Sequence, residues 1–396
     1  MKWASAIAEG PDLAAALDQC ANSVAEELGP ATPASLAVVF VSADYAASFN
    51  EVPSILQSHL SGAAVIGCSA AGVIGNGQEI EHRRAVALTA AHLPGVRLTS
   101  FRATQDTLPT PDDPPDAWVR LAGVSPEDHP QFLILMDPYS TPGGELLSGL
   151  DFAFPAAAKA GGLASGGSAP GSHALYLGQD IYQDGAVGVT LTGDVVMDTI
   201  VAQGCRPIGE PKRITKCQHN NLLELDDQPP IIYLQEMYRK LPPRDQALVS
   251  GNLFLGIAID PLLTLDSVRP GDFLIRNLIG TDQERGILAI GEHLQEGQLV
   301  QFHVRDAVAS TEDLQIQLTQ YLQGAGAKPL MGALMFQCNG RGIHLYGRPN
   351  HDSDLFRERM GSIPIGGFFC NGEIGPVGGT TYLHGHTSSF ALFRKP

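Results

Sequence analysis

The sequence predicts an α/β (α+β) protein of two domains, built from repeated β-α-β-β units with mixed sheets flanked by helices. Three observations carry that expectation. Apolar runs of strand length alternate with segments of helical periodicity, and glycine clusters follow the strands at regular spacing. The 396 residues also exceed what one ordinary core encloses. Hydrophobic residues make up 44% of the chain and charged ones 17%, which is ample core material and too little charge for wholesale disorder.

The first element is an amphipathic helix from Pro11 to Leu28. Asp12 opens it, Leu13, Leu17, Cys20, Val24 and Leu28 fall at helical spacing, and Gly29-Pro30 stops it. Leu36 to Val41 is then a continuous apolar run, the pattern of a strand covered on both faces. It opens an arrangement that occurs three times: a strand, a helix, a second strand running into glycines, a loop and a closing strand. The first copy takes Leu36 to Val41, a helix around Phe49 to Leu60, Ala63 to Ile66 into the Gly67–Gly72 cluster, and Ala85 to Ala90. The second takes Phe132 to Met136, a helix from Glu145 to Ala160 running into Gly161-Gly162 and Gly166-Gly167, and Ala186 to Leu191. The third takes Ala333 to Phe336, a helix from Asp352 to Met360, Ile363 to Ile365 into Gly366-Gly367 and Gly372, and Thr387 to Phe393. In each copy the first two strands are about thirty residues apart, the length a βαβ crossover needs.

Further strands at Val96 to Phe101, Val195 to Val201, Phe273 to Leu278 and Leu299 to His303 predict antiparallel additions to these sheets. Between the second and third copies, Cys205 to Pro230 holds four prolines, a polar Gln218-His219-Asn220-Asn221 turn and the Asp226-Asp227 pair. A domain boundary placed there gives residues 1–225 and 226–396. Pro230 leads into a helix from Ile231 to Lys240, which Pro242-Pro243 ends. Thr107 to Pro115, rich in Pro and Asp, is expected to be a surface loop.

Charge argues against nucleic acid as a partner. Forty-two acidic side chains face 25 basic ones, a net charge of -17, and the short basic pairs Lys212-Arg213 and Arg357, Arg359 lie beside acids. No membrane partner is expected either, because the longest uncharged stretch, Leu60 to Gln78, carries five glycines. Glu9 and Asp12 interrupt the amino-terminal alanines before an export signal develops, so a cytoplasmic protein is expected. The six cysteines are widely scattered without any CxxC, which suits reduced thiols and gives no support to a zinc cluster or another cofactor.

Several segments are candidates for chemistry. Gly67-Cys68-Ser69-Ala70-Ala71-Gly72 has the small residues that let backbone N–H groups approach a ligand, and packing of strand on helix would explain them equally. Cys68 and Cys370 end glycine-bearing strands of two copies, where a nucleophile or inert packing would each fit. Glu373 is followed by His384-Gly385-His386, whose imidazoles share one side of an extended segment and could hold a metal or line a pocket. Asp137-Pro138-Tyr139-Ser140-Thr141-Pro142-Gly143-Gly144-Glu145 sits between strand and helix, where open α/β sheets bind ligands, or is simply a turn. GxSxG is absent.

Gly67 to Ile74 resembles the GCS-x-x-G-x-I stretch of the N-terminal FIST domain, and Gly372-Glu373-Ile374-Gly375-Pro376 resembles the G-E-I-G-P of the C-terminal one. The resemblance to this family, named for F-box and intracellular signal transduction proteins, runs over the whole chain. It implies a FIST N-terminal-like domain over 1–225, a FIST C-terminal-like domain over 226–396, and a sensory module for a small ligand such as an amino acid. With no output domain expected here, the signal would pass to a partner protein. Val73 departs from an acidic residue common in the first motif, which leaves Glu373 as the carboxylate of interest. The candidate ligand-binding residues are therefore Gly67, Cys68, Ser69, Gly72, Gly366, Phe369, Cys370, Asn371, Gly372, Glu373, His384 and His386. The expected roles are backbone capture of a carboxylate at the Gly67 and Gly366 turns and capture of an amine by Glu373. No catalytic residue is expected. The alternatives are an enzyme using Cys370 or Cys68 with His384 or His386, and a protein-binding scaffold using the Thr107–Pro115 loop.

Overall fold

A computed structural model of the chain describes residues 1–269, 271–324 and 329–396. The fold has two compact units. One joins Met1–Ala202 with Leu314–Leu383 and Thr387–Pro396; the other holds Gln203–Asp313 with His384–His386. The first unit thus takes in residues from both sides of position 225.

Along the chain the first unit starts with β1 (Lys2–Glu9), α1 (Leu13–Leu28), β2 (Leu36–Ser42), α2 (Val52–His59), β3 (Ala64–Ala70), β4 (Gly72–Gly75), β5 (Gln78–Glu81) and β6 (Ala85–His92). Then come β7 (Val96–Ala103), α3 (Pro115–Ala122), β8 (Gln131–Met136), α4 (Gly143–Ala153), β9 (Lys159–Leu163), β10 (Leu175–Leu177), β11 (Asp180–Tyr182), β12 (Ala186–Gly193) and β13 (Val196–Gln203). The second unit contributes β14 (Cys205–Gln218), β15 (Asn221–Leu225), α5 (Pro230–Lys240), α6 (Pro243–Val249), β16 (Leu253–Ala258), β17 (Phe273–Asp282), β18 (Ile287–Ile290) and β19 (Leu299–Arg305). The last stretch is α7 (Ala307–Gly324), β20 (Leu330–Cys338), α8 (Gly342–Tyr346), α9 (His351–Met360), β21 (Ile365–Cys370), β22 (Glu373–Val377), β23 (Thr380–His384) and β24 (Thr387–Arg394).

The first unit contains three six-stranded sheets with one pattern: β1-β6-β2-β3-β10-β11, β7-β12-β8-β9-β22-β23 and β13-β24-β20-β21-β4-β5. In each, a parallel pair joined through helix (β2/β3, β8/β9, β20/β21) lies beside an antiparallel closing strand. The last two strands of each sheet come from a hairpin elsewhere in the chain. β4–β5 follows β3 yet completes the third sheet on β21; β10–β11 follows β9 yet joins β3; β22–β23 follows β21 yet joins β9. No sheet is complete without another segment's hairpin.

The inner faces share one apolar core, with Phe40, Ile66, Leu133, Leu135, Val189, Phe336 and Phe368 drawn from all three sheets. The Phe40 and Phe368 rings stack at 4.5 Å between centroids. The region between the sheets is therefore filled with side chains. Each outer face has its own helical cover: α1 and α2 on the first sheet, α3 and α4 on the second, α7 and α9 on the third. Asp12 caps α1, accepting from Ala15 N at 2.8 Å, as the sequence predicts.

Four differences from the sequence reading have physical causes. The helix expected over 145–160 stops at Ala153, since Pro155 cannot continue it, and the chain is extended again by Lys159. β1 escapes notice because its alanines carry little strand signal, yet Trp3 within it is buried and stacks on Phe393 at 4.4 Å. The segment 205–230, where the sequence placed a domain boundary, forms β14 and β15 of a closed barrel, β14-β15-β18-β17-β16-β19, which is the second unit. Pro207 and Pro211 are tolerated there beside a register break between Ile208 and Lys212. Finally, Gly67 and Gly366 lie inside strands and not in open turns. A Cβ on Gly67 would stand 2.1 Å from the Val39 carbonyl oxygen, and one on Gly366 1.8 Å from Thr89 Oγ1. These glycines permit close approach of neighbouring strands. Gly67→Ala is accordingly expected to cost roughly 1–3 kcal/mol of stability, measured by urea unfolding; an unchanged midpoint would mean the strand pair has slack.

Candidate functional site

The residues selected from sequence divide among different environments. Cys68 and Cys370 are wholly buried in the inner core, where burial pushes both thiols well above their ordinary pKa. Thiolate chemistry loses its physical basis there, so neither should react with iodoacetamide in the native protein at neutral pH, while the half-buried Cys205, Cys217 and Cys338 label first. Peptide mapping after a timed pulse reads this directly. Ser69 is buried, its Oγ accepting from Ala174 N at 3.1 Å, and Gly72 packs on Phe369, whose ring belongs to the core outside the third sheet. Asn371 is exposed, and its Nδ2 donates to Ala164 O at 2.9 Å; the Gly372 oxygen accepts from Leu163 N at 2.8 Å. Glu373 is buried, one oxygen accepting from Thr387 Oγ1 at 2.7 Å and Thr387 N at 3.1 Å.

His384 and His386 group with the second unit, whereas Glu373 belongs to the first. His386 sits at φ +68°, its ring 4.0 Å from the Phe254 centroid and its Nε2 2.9 Å from Asn277 Oδ1. Among the described residues no group of three or more His, Cys, Asp and Glu could hold a metal ion.

The Asp137 loop lies where strand topology predicts, just past the carboxyl end of β8. Asp137 and Ser140 line an open cleft of ≈ 790 Å³ with Asn50, Tyr182 and Asp184. Asp137 is, however, fully committed. One oxygen faces His173 Nδ1 at 3.0 Å; the other accepts from Tyr139 N, Ser140 N and Ser140 Oγ at 3.0, 2.9 and 2.6 Å. The arrangement fixes a turn and leaves no oxygen of Asp137 without a partner.

The corresponding end of β20 in the third sheet is different. Arg341 follows β20, is fully buried, and donates from Nε to Asp352 Oδ2 at 2.7 Å. Its two terminal nitrogens, Nη1 and Nη2, have no hydrogen-bond partner among the described residues, although buried polar groups nearly always find one. Burial works against the guanidinium charge, and the Asp352 carboxylate outweighs it, raising the pKa above its usual value. For Asp352 burial alone would raise the pKa; the Arg341 charge and the His351 hydrogen bond bring it down to about 2. The ion pair therefore stays charged.

Three elements converge on this pair. α8 and α9 supply Tyr346 and His351, whose rings stack at 3.5 Å, with the Arg341 guanidinium 5.7 Å from the Tyr346 centroid. The β4–β5 hairpin supplies two buried acids. Glu79 Oε1 accepts from Ser353 N at 2.8 Å, capping α9 from outside it, and Glu81 Oε1 accepts from Ile343 N at 2.9 Å. Burial and then the Asp352 charge push Glu79 up to about 8, and burial raises Glu81 as well. The Ser353 hydroxyl is buried beside the Glu79 carboxyl, its side-chain hydrogen bond lowering the Glu79 pKa against burial. Both polar atoms of Gln337 and the Ser388 hydroxyl are buried without a partner among the described residues and face one another across the β20/β24 pair. Glu79 pairs with Ile74, Gln337 alternates with Met335, and Ser388 with Phe390, all on the face that α7 and α9 cover.

A FIST N domain model matches residues 35–228, and a FIST C domain model matches 233–376. The chain belongs to the FIST family. An uncharacterized protein of Mycobacterium tuberculosis is similar to it over nearly the full length of both chains, 36% identical over 396 residues that cover 99% of this chain and 100% of the relative. An F-box/LRR-repeat protein of Arabidopsis thaliana is 30% identical over 105 residues, 26% of this chain and 20% of that one. A solved cyanuric acid hydrolase from A. caulinodans aligns over 99% of both chains with a TM-score of 0.33 and 9% identity, too distant to bear on this FIST protein's chemistry. The polar patch spans both FIST domains, with Glu79 and Glu81 from the first and Arg341 and Asp352 from the second. No helix among the described residues is long and apolar enough to cross a membrane.

Proposed function

We propose that this FIST protein is a sensor that takes a small ligand into the patch around Arg341 and passes its occupancy to a partner protein. The observation that carries the reading is a fully buried guanidinium with two terminal nitrogens unpaired. Leaving such donors dry is costly, and a bound molecule with acceptors removes that cost. The location suits signalling, because the ligand would touch the β4–β5 hairpin, the end of β20 and the start of α9 together. Differential contact with elements distant in sequence is what shifts a conformational equilibrium. The same proposal includes a cytoplasmic setting, an unidentified signalling partner, and the three like-patterned sheets as an internal repeat.

The reading moves the site away from the Gly67 and Gly366 strands, where no Cβ fits, and away from Cys68 and Cys370, whose thiols are buried. A thermal-shift screen against amino acids, organic acids and other metabolites tests it. A ligand at one hundred times its dissociation constant should add about 2.7 kcal/mol to stability. A flat response across the panel from well-folded protein sinks the sensor.

A further inference from the structure

We propose that the occupant of this patch is a carboxylate, seated across the two terminal nitrogens of Arg341 and hydrogen-bonded by the acid group of Glu79. The inference rests on the ligand-binding reading and narrows it to one chemical class. Asp352 meets Arg341 only at Nε, at 2.7 Å, and turns its other oxygen to His351 Nδ1 at 2.9 Å. The Nη1–Nη2 edge of the guanidinium is thus left without its counter-ion. That edge offers two parallel N–H groups at the spacing of a carboxylate's oxygens, a planar match that an ammonium could not give. Glu79 and Ser353 stand next to Asp352, Glu79 accepting from Ser353 N at 2.8 Å with the Ser353 hydroxyl beside its carboxyl. Gln337, with one donor and one acceptor unused, and the Ser388 hydroxyl opposite it can read a neutral polar group on the rest of the ligand.

Binding of this kind is linked to protons. The charged and titratable groups around Glu79 are Asp352 and His351 from α9, Arg341 at the end of β20, and Glu81 on its own strand, with His82 and His344 beside Glu81. Burial and the two neighbouring carboxylates keep a proton on Glu79 up to about pH 8. In that state it donates to an incoming carboxylate; once ionised it repels one. Affinity should therefore hold at neutral pH and fall about tenfold for each pH unit above the Glu79 pKa.

The test uses acetate as the minimal carboxylate, acetamide as its neutral counterpart, and chloride at matched ionic strength. Acetate should raise the Tm of the full chain at neutral pH as its concentration rises, and acetamide should not. The acetate effect should fade above the Glu79 pKa, disappear in Arg341→Lys, and persist without that pH dependence in Glu79→Gln. Should Arg341→Lys fail to fold, Glu79→Gln, which keeps the ion pair, carries the test: an acetate effect in it that still fades above the Glu79 pKa overturns the assignment. Equal effects of acetate and acetamide, or an acetate effect that survives Arg341→Lys, overturn the carboxylate assignment. A neutral metabolite that binds while acetate does nothing also overturns it, and leaves the sensor standing. If neither acetate nor any metabolite moves the Tm, both fall.

Discussion

Replacing Arg341 with methionine is expected to destabilise the protein by about 3–5 kcal/mol at neutral pH, the usual cost of stripping one partner from a buried ion pair. Methionine fills much of the volume, so lost packing is a minor part of that figure. The larger part is Asp352, fully buried, whose carboxylate is held at about pH 2 by the guanidinium against the opposing effect of burial. Without Arg341 that carboxylate must take a proton or stay charged with only His351 beside it. The loss should accordingly deepen as pH rises from the acid side to neutrality. A double variant, Arg341→Met with Asp352→Leu, removes both charges and should regain more than half of the stability. Urea unfolding of the wild type, both single variants and the double variant makes the cycle complete. A single Arg341→Met costing less than about 1 kcal/mol would show that the pair is hydrated, and the unpaired guanidinium edge would lose its meaning.

Much of the architecture was legible from periodicity. The strand-helix-strand pattern around Leu36, Phe132 and Ala333 became the parallel pairs β2/β3, β8/β9 and β20/β21, because alternating apolar runs and helical stripes are local properties of a sequence. What could not be read was the exchange of hairpins. β4–β5 joins β21 almost 300 residues later in the chain, and nothing in Gly72 to Glu81 names its partner. The barrel was hidden for a related reason, since the prolines of β14 imitate a domain boundary.

The candidate site follows the same division. The rule that ligands gather past the carboxyl ends of strands pointed to Asp137 after β8, and Arg341 stands at the corresponding place after β20. Arg341 stood in the sequence as one basic residue between Gly340 and Gly342, with the look of a solvated turn. Its burial depends on Asp352 eleven residues on, and the acids around it come from the hairpin: Ile343 is 262 residues from the Glu81 that accepts its N–H. The one local clue was Gly342, whose φ of +63° and lack of a Cβ let the Glu81 carboxylate lie against the backbone. Glycine density drew attention instead to Gly67 and Gly366, where small residues serve strand packing. Glu373 stood out as the lone carboxylate of a glycine-rich run, yet its environment is a hydrogen bond to Thr387 within the sheet region, and the two histidines after it belong to the other compact unit.

Glu79→Gln should stabilise the protein in alkaline solution and leave it nearly unchanged in mild acid. A carboxyl raised from 4.5 in the unfolded chain to about 8 in the fold binds its proton more tightly when folded. The stability this contributes is complete below the unfolded value and is lost as pH climbs through the folded one. Above that point the wild type must hold an ionised Glu79 beside Asp352 in a buried corner, or open. Glutamine keeps the oxygen that accepts from Ser353 N, so the α9 cap survives, and it cannot ionise. The advantage of the variant is expected to grow from under about 1 kcal/mol around pH 5 to roughly 2–4 kcal/mol around pH 8, most of it between the unfolded and folded pKa values, and to level off above. Unfolding midpoints of both proteins across this range decide the matter: a difference that stays flat with pH would mean Glu79 is ionised throughout, and the acid proton offered to a ligand would not exist.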